Sequence, residues 1–133
     1  MSVKIIKDIM LTSEKVPTIN VMATLKDAMN LMKSSGQKYV VVEKRSDDDA
    51  YGILTQKDIL RAVIIEKGDV ELLNVYDVST RPALSVSQYL NIKHAGKMIL
   101  NHSIKQLLVI DNNQLMGVID IELITQEIFS QLD

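Results

Sequence analysis

The sequence has no cysteine and no tryptophan, and its longest apolar runs, YVVV at 39–42 and LLVI at 107–110, are short. The lack of cysteine excludes disulfides and thiolate metal sites. The apolar runs are far below the ~18 residues that a membrane span needs. The formal net charge is −2, so no strong basic field is available for nucleic acid. We therefore expect neither nucleic acid nor a membrane as a partner, and a cytoplasmic location by default.

Motifs for catalysis and for metal binding are also missing. The chain has no P-loop, no G-x-S-x-G string and no G-x-G-x-x-G string. Its two histidines, His94 and His102, are eight positions apart, which is not a zinc-ligand spacing, and both are expected at the surface or at a helix end. The acidic run Asp47 to Asp49 lacks the ligand spacing of a calcium loop and is expected to be a solvated hairpin tip. We expect no enzyme, no metal and no cofactor, although a spatial triad of distant residues stays open to a turnover assay.

What is present is the composition of a globular protein. The hydrophobic fraction of 47% and the charged fraction of 24% are close to average, and 133 residues can bury a sizeable core. Methionine is a flexible filler of irregular gaps, so we expect all seven methionines to lie in the core.

An internal duplication is the strongest pattern. Three segments of the first half align with three of the second at shifts of 65 to 68 residues, and the shift changes where the first copy has a longer polar loop. The aligned segments are 24–32 with 91–99, 39–43 with 107–111, and 51–54 with 116–119.

Each copy predicts the same elements. An extended piece, VPTI at 16–19 or ALSV at 83–86, precedes a helix with one apolar face, capped in the first copy by Thr24 with Asp27. Two strands around a polar hairpin follow, and a second helix starts near Thr55 or Asp120. We predict a mixed α and β fold of two βαββα repeats, 1–68 and 69–133. Their sheets are expected to pack with pseudo-twofold symmetry, which would leave two related clefts for small ligands.

The sequence YGILTQKDIL at 51–60, which follows YVVVE and a charged hairpin, resembles the signature of CBS domains, named after cystathionine β-synthase. The family pattern is glycine, two apolar residues, threonine or serine, two variable residues and aspartate. MGVIDIELI in the second copy resembles it less closely. The resemblance extends from about Val3 to Ile128. It implies a tandem pair, or Bateman module, that binds an adenine nucleotide or adenosyl compound and often forms a homodimer.

The resemblance also implies which residues bind the ligand. Each cleft of the family combines the motif of one repeat with the entry strand and middle strand of the other. Thr55 and Asp58 would contact ribose and phosphate, apolar side chains would enclose the base, and Lys105 is our first choice for a phosphate contact, ahead of Arg81 and Gln106. The predicted site residues are Ile53, Thr55, Lys57, Asp58, Ala83, Leu84, Ile104 and Lys105.

The second cleft is predicted to be degenerate. Asp120 replaces the threonine, Glu122 replaces the lysine, and Leu123 replaces the ribose-binding aspartate. Two acids would repel a phosphate, whereas a cation or an uncharged ligand stays possible. The residues assigned to this cleft are Val16, Pro17, Gly36, Val118, Asp120 and Glu122.

Two interpretations of the motif stay open. Thr55 and Asp58 also form a helix capping box, which needs no ligand. The leading hypothesis is a stand-alone regulatory sensor that binds AMP, ADP, ATP, NAD or S-adenosylmethionine and acts on an unknown protein target. The alternative is a ligand-free dimerisation or docking module.

Overall fold

A computed structural model describes residues 4–132. The strands are β1 (Leu11–Thr12), β2 (Thr18–Ile19), β3 (Tyr39–Val42), β4 (Gly52–Thr55), β5 (Ser85–Val86), β6 (Gln106–Asp111) and β7 (Gln114–Asp120). The α-helices are α1 (Leu25–Ser35), α2 (Gln56–Leu60), α3 (Val75–Val78), α4 (Ile92–Asn101) and α5 (Ile121–Ser130). Residues Arg61–Ile65 extend α2 as a π-helical turn, and two short 3₁₀ turns lie at Ile6–Asp8 and Ser13–Lys15. The predicted mixed α and β class is confirmed.

The chain divides into two compact units that are not contiguous halves. The first unit, which we call the split unit, contains residues 1–16 and 84–133, and the second, the continuous unit, contains residues 17–83. These boundaries do not coincide with the sequence repeats 1–68 and 69–133, whose residues 1–3 and 133 lie outside the described part of the chain. The reason is strand pairing: the opening segment of each repeat pairs with the strand that carries the other repeat's motif.

In the continuous unit, β2 pairs parallel with β3, and β3 pairs antiparallel with β4. All four residues of β3 are buried, as expected for one aromatic and three β-branched residues in the central strand of a sheet. The edge of β4 pairs with the opening segment of the second repeat, because Ile53 and Thr80 exchange both backbone hydrogen bonds at 2.9 Å. The core of this unit is formed by side chains such as Leu25, Val40 and Leu54, each with no exposed surface.

In the split unit, the sheet order is β1-β7-β6-β5. The edge strand β1 comes from the N-terminal segment and pairs antiparallel with β7 through Leu11 and Val118. Ile6 of the same segment has no exposed surface and belongs to a core with Leu107 and Ile119. The N-terminal segment is therefore part of this unit's core.

Helix α1 confirms the predicted cap. Thr24 Oγ1 accepts from the Asp27 N–H at 3.1 Å, and Asp27 Oδ2 accepts from the Thr24 N–H at 3.1 Å. The helix ends at Gly36, whose φ of 73° is left-handed and whose N–H donates to Met32 O. Glycine adopts this conformation at no steric cost.

The expectation that all seven methionines fill the core is wrong for two of them. Met32 is buried, but Met22 is 66% exposed and Met29 is 40% exposed. The spacing of apolar residues predicted that Met29 lies on the apolar face of α1. That face is wider than the part of the helix surface that packs against the core, so Met29 stays partly exposed. Met1 lies outside the described residues.

Candidate functional site

The motif of the first repeat begins with Gly52, and any other residue at this position would force neighbouring atoms to move. A Cβ at Gly52 would lie 2.9 Å from Thr80 O and 3.3 Å from Val42 Cβ. The segment that approaches β4 here is the one that exchanges backbone hydrogen bonds with Ile53. The glycine is therefore required because another backbone approaches the strand closely.

After Gly52 the chain passes through Thr55 into α2, with Leu54 fully buried and Ile59 nearly so. These two apolar anchors fix the turn, and the residues between them face outward to different degrees. Thr55 and Asp58 are half-buried, and Lys57 is exposed. The local sequence thus presents a hydroxyl, a carboxylate and a cation within four residues.

The hydroxyl and the carboxylate form the capping box that the sequence predicted. Asp58 Oδ2 accepts from the Thr55 N–H at 2.9 Å and from Thr55 Oγ1 at 3.0 Å, and the Asp58 N–H donates to Thr55 Oγ1 at 3.3 Å. No hydrogen bond to Asp58 Oδ1 is found within residues 4–132. The cap therefore occupies one carboxylate oxygen and leaves the other able to accept from a ligand.

The second motif repeats the backbone geometry. A Cβ at Gly117 would lie 2.2 Å from Leu11 O, because β1 pairs antiparallel with β7 at this point and its backbone approaches closely. Asp120 is the N-cap of α5 and accepts from the Leu123 N–H at 2.8 Å. The glycine and the cap are both retained.

The chemistry of the second motif differs. Leu123 packs against the core of the split unit, and Glu122 is exposed. Burial raises the pKa of Asp120, an effect that the Leu123 N–H partly offsets. This motif carries no equivalent of the Asp58 carboxylate.

The remaining residues assigned to the first cleft fall into both units. Ala83 belongs to the continuous unit, where its N–H donates to Tyr51 O at 3.0 Å, one residue before the motif glycine. The structure therefore places Ala83 close to the strand that carries Ile53. Leu84, Ile104 and Lys105 belong to the split unit. Leu84 is 45% exposed, Ile104 packs against that unit's core, and Lys105 is exposed.

The residues assigned to the second cleft are also divided. Val16, Val118, Asp120 and Glu122 belong to the split unit, and Pro17 and Gly36 belong to the continuous unit. Val118 has no exposed surface, and Val16 and Pro17 are buried. Gly36 is exposed at the end of α1.

The acidic hairpin tip corrects the sequence prediction. Asp49 is not merely solvated: it forms ion pairs with Arg45 at 2.9 Å and with Arg81, whose Nη1 also donates to Ala50 O at 3.0 Å. The Arg45 guanidinium lies 5.4 Å from the centre of the Tyr76 ring. Arg45 and Arg81 hold the pKa of Asp49 well below its usual range.

Arg81 is therefore engaged by the hairpin, although the sequence placed it among the candidates for a phosphate contact. Its side chain is 14% exposed. The involvement of Asp49 in ion pairs could have been predicted from the i,i+4 spacing of Arg45 and Asp49. Both residues lie in a loop that is longer than the corresponding loop of the second repeat. The spacing alone did not identify Arg81 as the third member, because Arg81 is 32 residues away.

Other chemistry is limited in the part of the chain that the structure describes. Residues 4–132 contain no group of three or more histidine or acidic side chains that could hold a metal ion. Among the same residues, no helix has the length and apolar character to cross a bilayer. His94 and His102 are both exposed, and His102 ends α4, as expected.

The sequence model of the CBS domain matches this chain twice, over residues 6–65 and 75–130. The chain belongs to the CBS domain family, and the predicted tandem arrangement is confirmed.

Among curated proteins, it is similar to the arabinose 5-phosphate isomerase KdsD of Salmonella typhimurium, with 32% identity over 116 residues. These are 86% of this chain but 34% of the isomerase. It is also similar to the uncharacterized protein MJ0450 of Methanocaldococcus jannaschii, with 27% identity over 96 residues, which are 70% of this chain and 52% of that protein. The chain thus spans about a third to a half of the length of these relatives.

Solved structures share the fold. The CBS-CP12 protein from bloom-forming cyanobacteria has 29% identity and a TM-score of 0.87, and the match covers 95% of this chain and 72% of that one. An uncharacterized conserved protein from Pyrococcus horikoshii has 21% identity and a TM-score of 0.84 over 100% of this chain and 98% of that one. CBSX2 has 19% identity and a TM-score of 0.79, with coverage of 95% and 96%. The last two show the fold alone.

Proposed function

We propose that this chain is a regulatory CBS-pair protein that binds an adenine nucleotide or adenosyl compound at the motif of its first repeat. The observation that carries the proposal is a difference between the two oxygens of the Asp58 carboxylate. Oδ2 completes the cap of α2, while no bond to Oδ1 is found within residues 4–132. A carboxylate oxygen beside a hydroxyl is suited to the vicinal hydroxyls of ribose, because hydrogen bonds to an ionised acceptor are the stronger kind.

The neighbouring residues suit the other parts of such a ligand. Ile53 is half-buried and so can offer apolar surface to a base, and Ala83 is half-buried in the same unit. Lys57 is exposed in the first turn of α2 and can place a cation near a phosphate. The contributions of Leu84, Ile104 and Lys105 remain predictions from the family resemblance.

The second motif is proposed not to bind a nucleotide in the same manner. Leu123 replaces the carboxylate, and the two acids Asp120 and Glu122 would repel phosphate groups. We therefore propose one nucleotide per chain, and we assign no ligand to the residues of the second cleft.

The relatives support a ligand-binding, regulatory role. CBSX2 was solved in complex with AMP, although at 19% identity it shares only the fold with this chain. The match to KdsD covers 34% of that isomerase, so its reaction is not transferred to this chain. We propose a protein without catalytic activity that acts in the cytoplasm on a protein target.

The test is isothermal titration calorimetry with AMP, ADP, ATP, NAD and S-adenosylmethionine. We expect at least one of them to bind with a Kd in the micromolar range, with one site per chain. Asp58→Ala should weaken binding at least about tenfold, because a charge-assisted bond contributes about 1.5–3 kcal/mol. Thermal melts of each variant separate loss of the cap from loss of the ligand contact.

Asp120→Ala is the control for the loss of a helix-capping carboxylate, because it removes the N-cap of α5 and should leave affinity unchanged. If no compound binds below millimolar concentration, or if Asp58→Ala binds as tightly as the unaltered protein, the site assignment is wrong.

A second candidate function is a dimerisation module that needs no ligand. A groove with a volume of about 470 Å³ favours it; Met29, Met32, Lys33, Gln56, Ile59 and Leu60 line it. The related cyanobacterial CBS-CP12 protein, at 29% identity, is hexameric. Mass spectrometry of ligands retained by the purified protein, combined with analytical ultracentrifugation with and without nucleotide, distinguishes the two functions. Self-association without any bound nucleotide favours the module, and nucleotide-dependent association favours the sensor.

A further inference from the structure

The first repeat has a longer loop before its motif glycine than the second repeat has. Residues 44–51 connect YVVVE to that glycine, whereas residues 112–116 connect LLVID to its counterpart. The longer loop makes side-chain contacts outside itself, because Asp49 pairs both with Arg45 of the same loop and with Arg81. The loop is therefore bonded to the segment that lies along the edge of β4.

Arg81 is directed at this loop and not at solvent. Its Nη1 donates to Asp49 Oδ2 and, at 3.0 Å, to Ala50 O. Its Nη2 is buried and has no hydrogen-bond partner within residues 4–132. A guanidinium in this position is suited to fix the backbone segment that carries it, because both of its terminal nitrogens are covered.

The segment that carries Arg81 also carries a residue of the proposed nucleotide site. Two residues after Arg81, the Ala83 N–H donates to Tyr51 O at 3.0 Å. One residue before Arg81, Thr80 exchanges two backbone hydrogen bonds with Ile53. Ile53 and Ala83 are both half-buried apolar residues of the proposed site. Arg81 therefore lies between the two points at which this segment is bonded to β4 and to the residue before it.

The corresponding segment of the split unit is bonded differently. Two consecutive residues of β1 pair with β7 there, whereas Thr80 forms an isolated β-bridge to β4. Thr12 lies beside Gly117 as Arg81 lies beside Gly52, but the Thr12 hydroxyl bonds within its own segment. The first repeat thus adds side-chain contacts to the loop where the second repeat has one more residue of backbone pairing.

We propose that Arg81 is a positioning residue for the nucleotide site: bonded to the loop at Asp49 and Ala50, it fixes Ala83 relative to Ile53 before a ligand binds. The inference rests on the proposed function and deepens it. It replaces the sequence hypothesis that Arg81 contacts a phosphate. A site that is already ordered loses less conformational freedom on binding, so the loop raises the affinity without touching the ligand.

The first test needs no ligand. Backbone ¹⁵N relaxation gives an order parameter for each N–H, about 0.85 for a rigid backbone and below about 0.6 for a flexible one. Asp49→Asn should lower the order parameter of the Ala83 N–H toward the flexible value. The Val41 N–H, which donates to Pro17 O on the other side of the same sheet, should stay rigid. Asp48→Asn, at an exposed position of the same loop, is the matched control and should change neither.

The second test separates positioning from phosphate contact. Calorimetry compares AMP with adenosine, which lacks a phosphate, on Asp49→Asn, Arg81→Gln and the double variant. Positioning predicts that each single variant weakens both ligands by the same factor, about three- to tenfold, and that the double variant is no weaker than Arg81→Gln. Asp49→Asn changes the side-chain volume little and should fold, and circular dichroism melts check all three variants.

An order parameter of Ala83 that stays near 0.85 in Asp49→Asn would overturn the inference. So would a loss confined to AMP in Arg81→Gln, which is the result expected for a phosphate contact. Unchanged affinity of both variants for both ligands would show that the loop contacts serve the fold alone. If neither AMP nor adenosine binds the unaltered protein, the proposed function fails for these ligands, while the relaxation experiment still decides whether the loop fixes Ala83.

Discussion

In the first repeat the chain passes from Gly52 through Thr55 into α2, and in the second it passes from Gly117 through Asp120 into α5. Both glycines lie against the backbone of a neighbouring segment, and both cap residues accept a hydrogen bond from the residue three positions on. Only the first segment adds a carboxylate at that position. The comparison separates what the fold needs, a glycine and a cap, from what a ligand needs.

The two hairpins also differ in what stabilises the connection between their strands. Strands β6 and β7 are joined by Asn112 and Asn113, with φ of 51° and 62°, which is the conformation of a tight two-residue turn. Strands β3 and β4 are joined by a longer loop that Asp49 ties to Arg45 and Arg81. The connection between β6 and β7 is stabilised by its backbone conformation, whereas the loop between β3 and β4 is stabilised by ion pairs.

The largest expected effect comes from adding a methyl group at the two motif glycines. Gly117→Ala should destabilise the protein by about 3 kcal/mol, because the new Cβ would overlap the backbone of β1, while Gly52→Ala should cost about 1–2 kcal/mol. Chemical denaturation measures both. Gly96→Ala is the control: its Cβ would meet nothing closer than 3.9 Å, and it lies inside α4, so it should stabilise by up to about 1 kcal/mol. Equal costs at all three positions would contradict the explanation that a neighbouring backbone approaches the two motif glycines closely.

A smaller effect is expected from removing the ion pairs of Asp49 in the loop between β3 and β4. Asp49→Asn should lower the melting temperature at neutral pH, because Arg45 and Arg81 lose their ionised partner. The pKa of folded Asp49 lies below its ordinary value of 3.8, so the stabilisation is present above that pH and is lost as the pH falls toward the lower folded value. The difference between the two proteins should therefore shrink in acid.

Asp48→Asn, at an exposed position of the same loop, is the control for the removal of one negative charge. If it lowers the melting temperature as much as Asp49→Asn does, general charge balance rather than the specific ion pairs stabilises the hairpin.

The smallest effect is expected at Asp120. Burial raises its pKa in the folded protein above the ordinary value of 3.8, so ionisation of this group costs stability as the pH rises through the folded pKa. Asparagine is an equally good N-cap and carries no charge. Asp120→Asn should therefore be slightly more stable than the unaltered protein at neutral pH, with the advantage vanishing below about pH 4. A series of urea titrations from pH 3 to 7 measures it, and an advantage that grows in acid would show that the carboxylate is not disfavoured by burial.

Local patterns in the sequence predicted the elements well. The capping boxes at Thr24 and Thr55 and the start of α5 at Asp120 are all confirmed, because a cap depends on residues within one turn. Strand β3 was equally visible as a run of β-branched residues. The motif with its glycine was found by comparing the two copies, which needed no structural information.

Two features could not be predicted, for the same physical reason. The pairing of Leu11 with Val118 joins residues over a hundred positions apart, and β1 is too short to show a period. The contact of Asp49 with Arg81 depends on the backbone that places Thr80 beside Ile53. Both follow from long-range pairing, which hydrophobic periodicity does not encode.

The pairing of β1 with β7 also determines an order of events during synthesis. Residues 17–83 form a continuous unit, so that unit can fold as soon as they have left the ribosome. Ile6 and β1, although made earlier, have no sheet to join until β6 and β7 have been translated. This segment is therefore made before the continuous unit but reaches its native contacts after that unit can fold, and the apolar side chain of Ile6 stays unprotected throughout that interval.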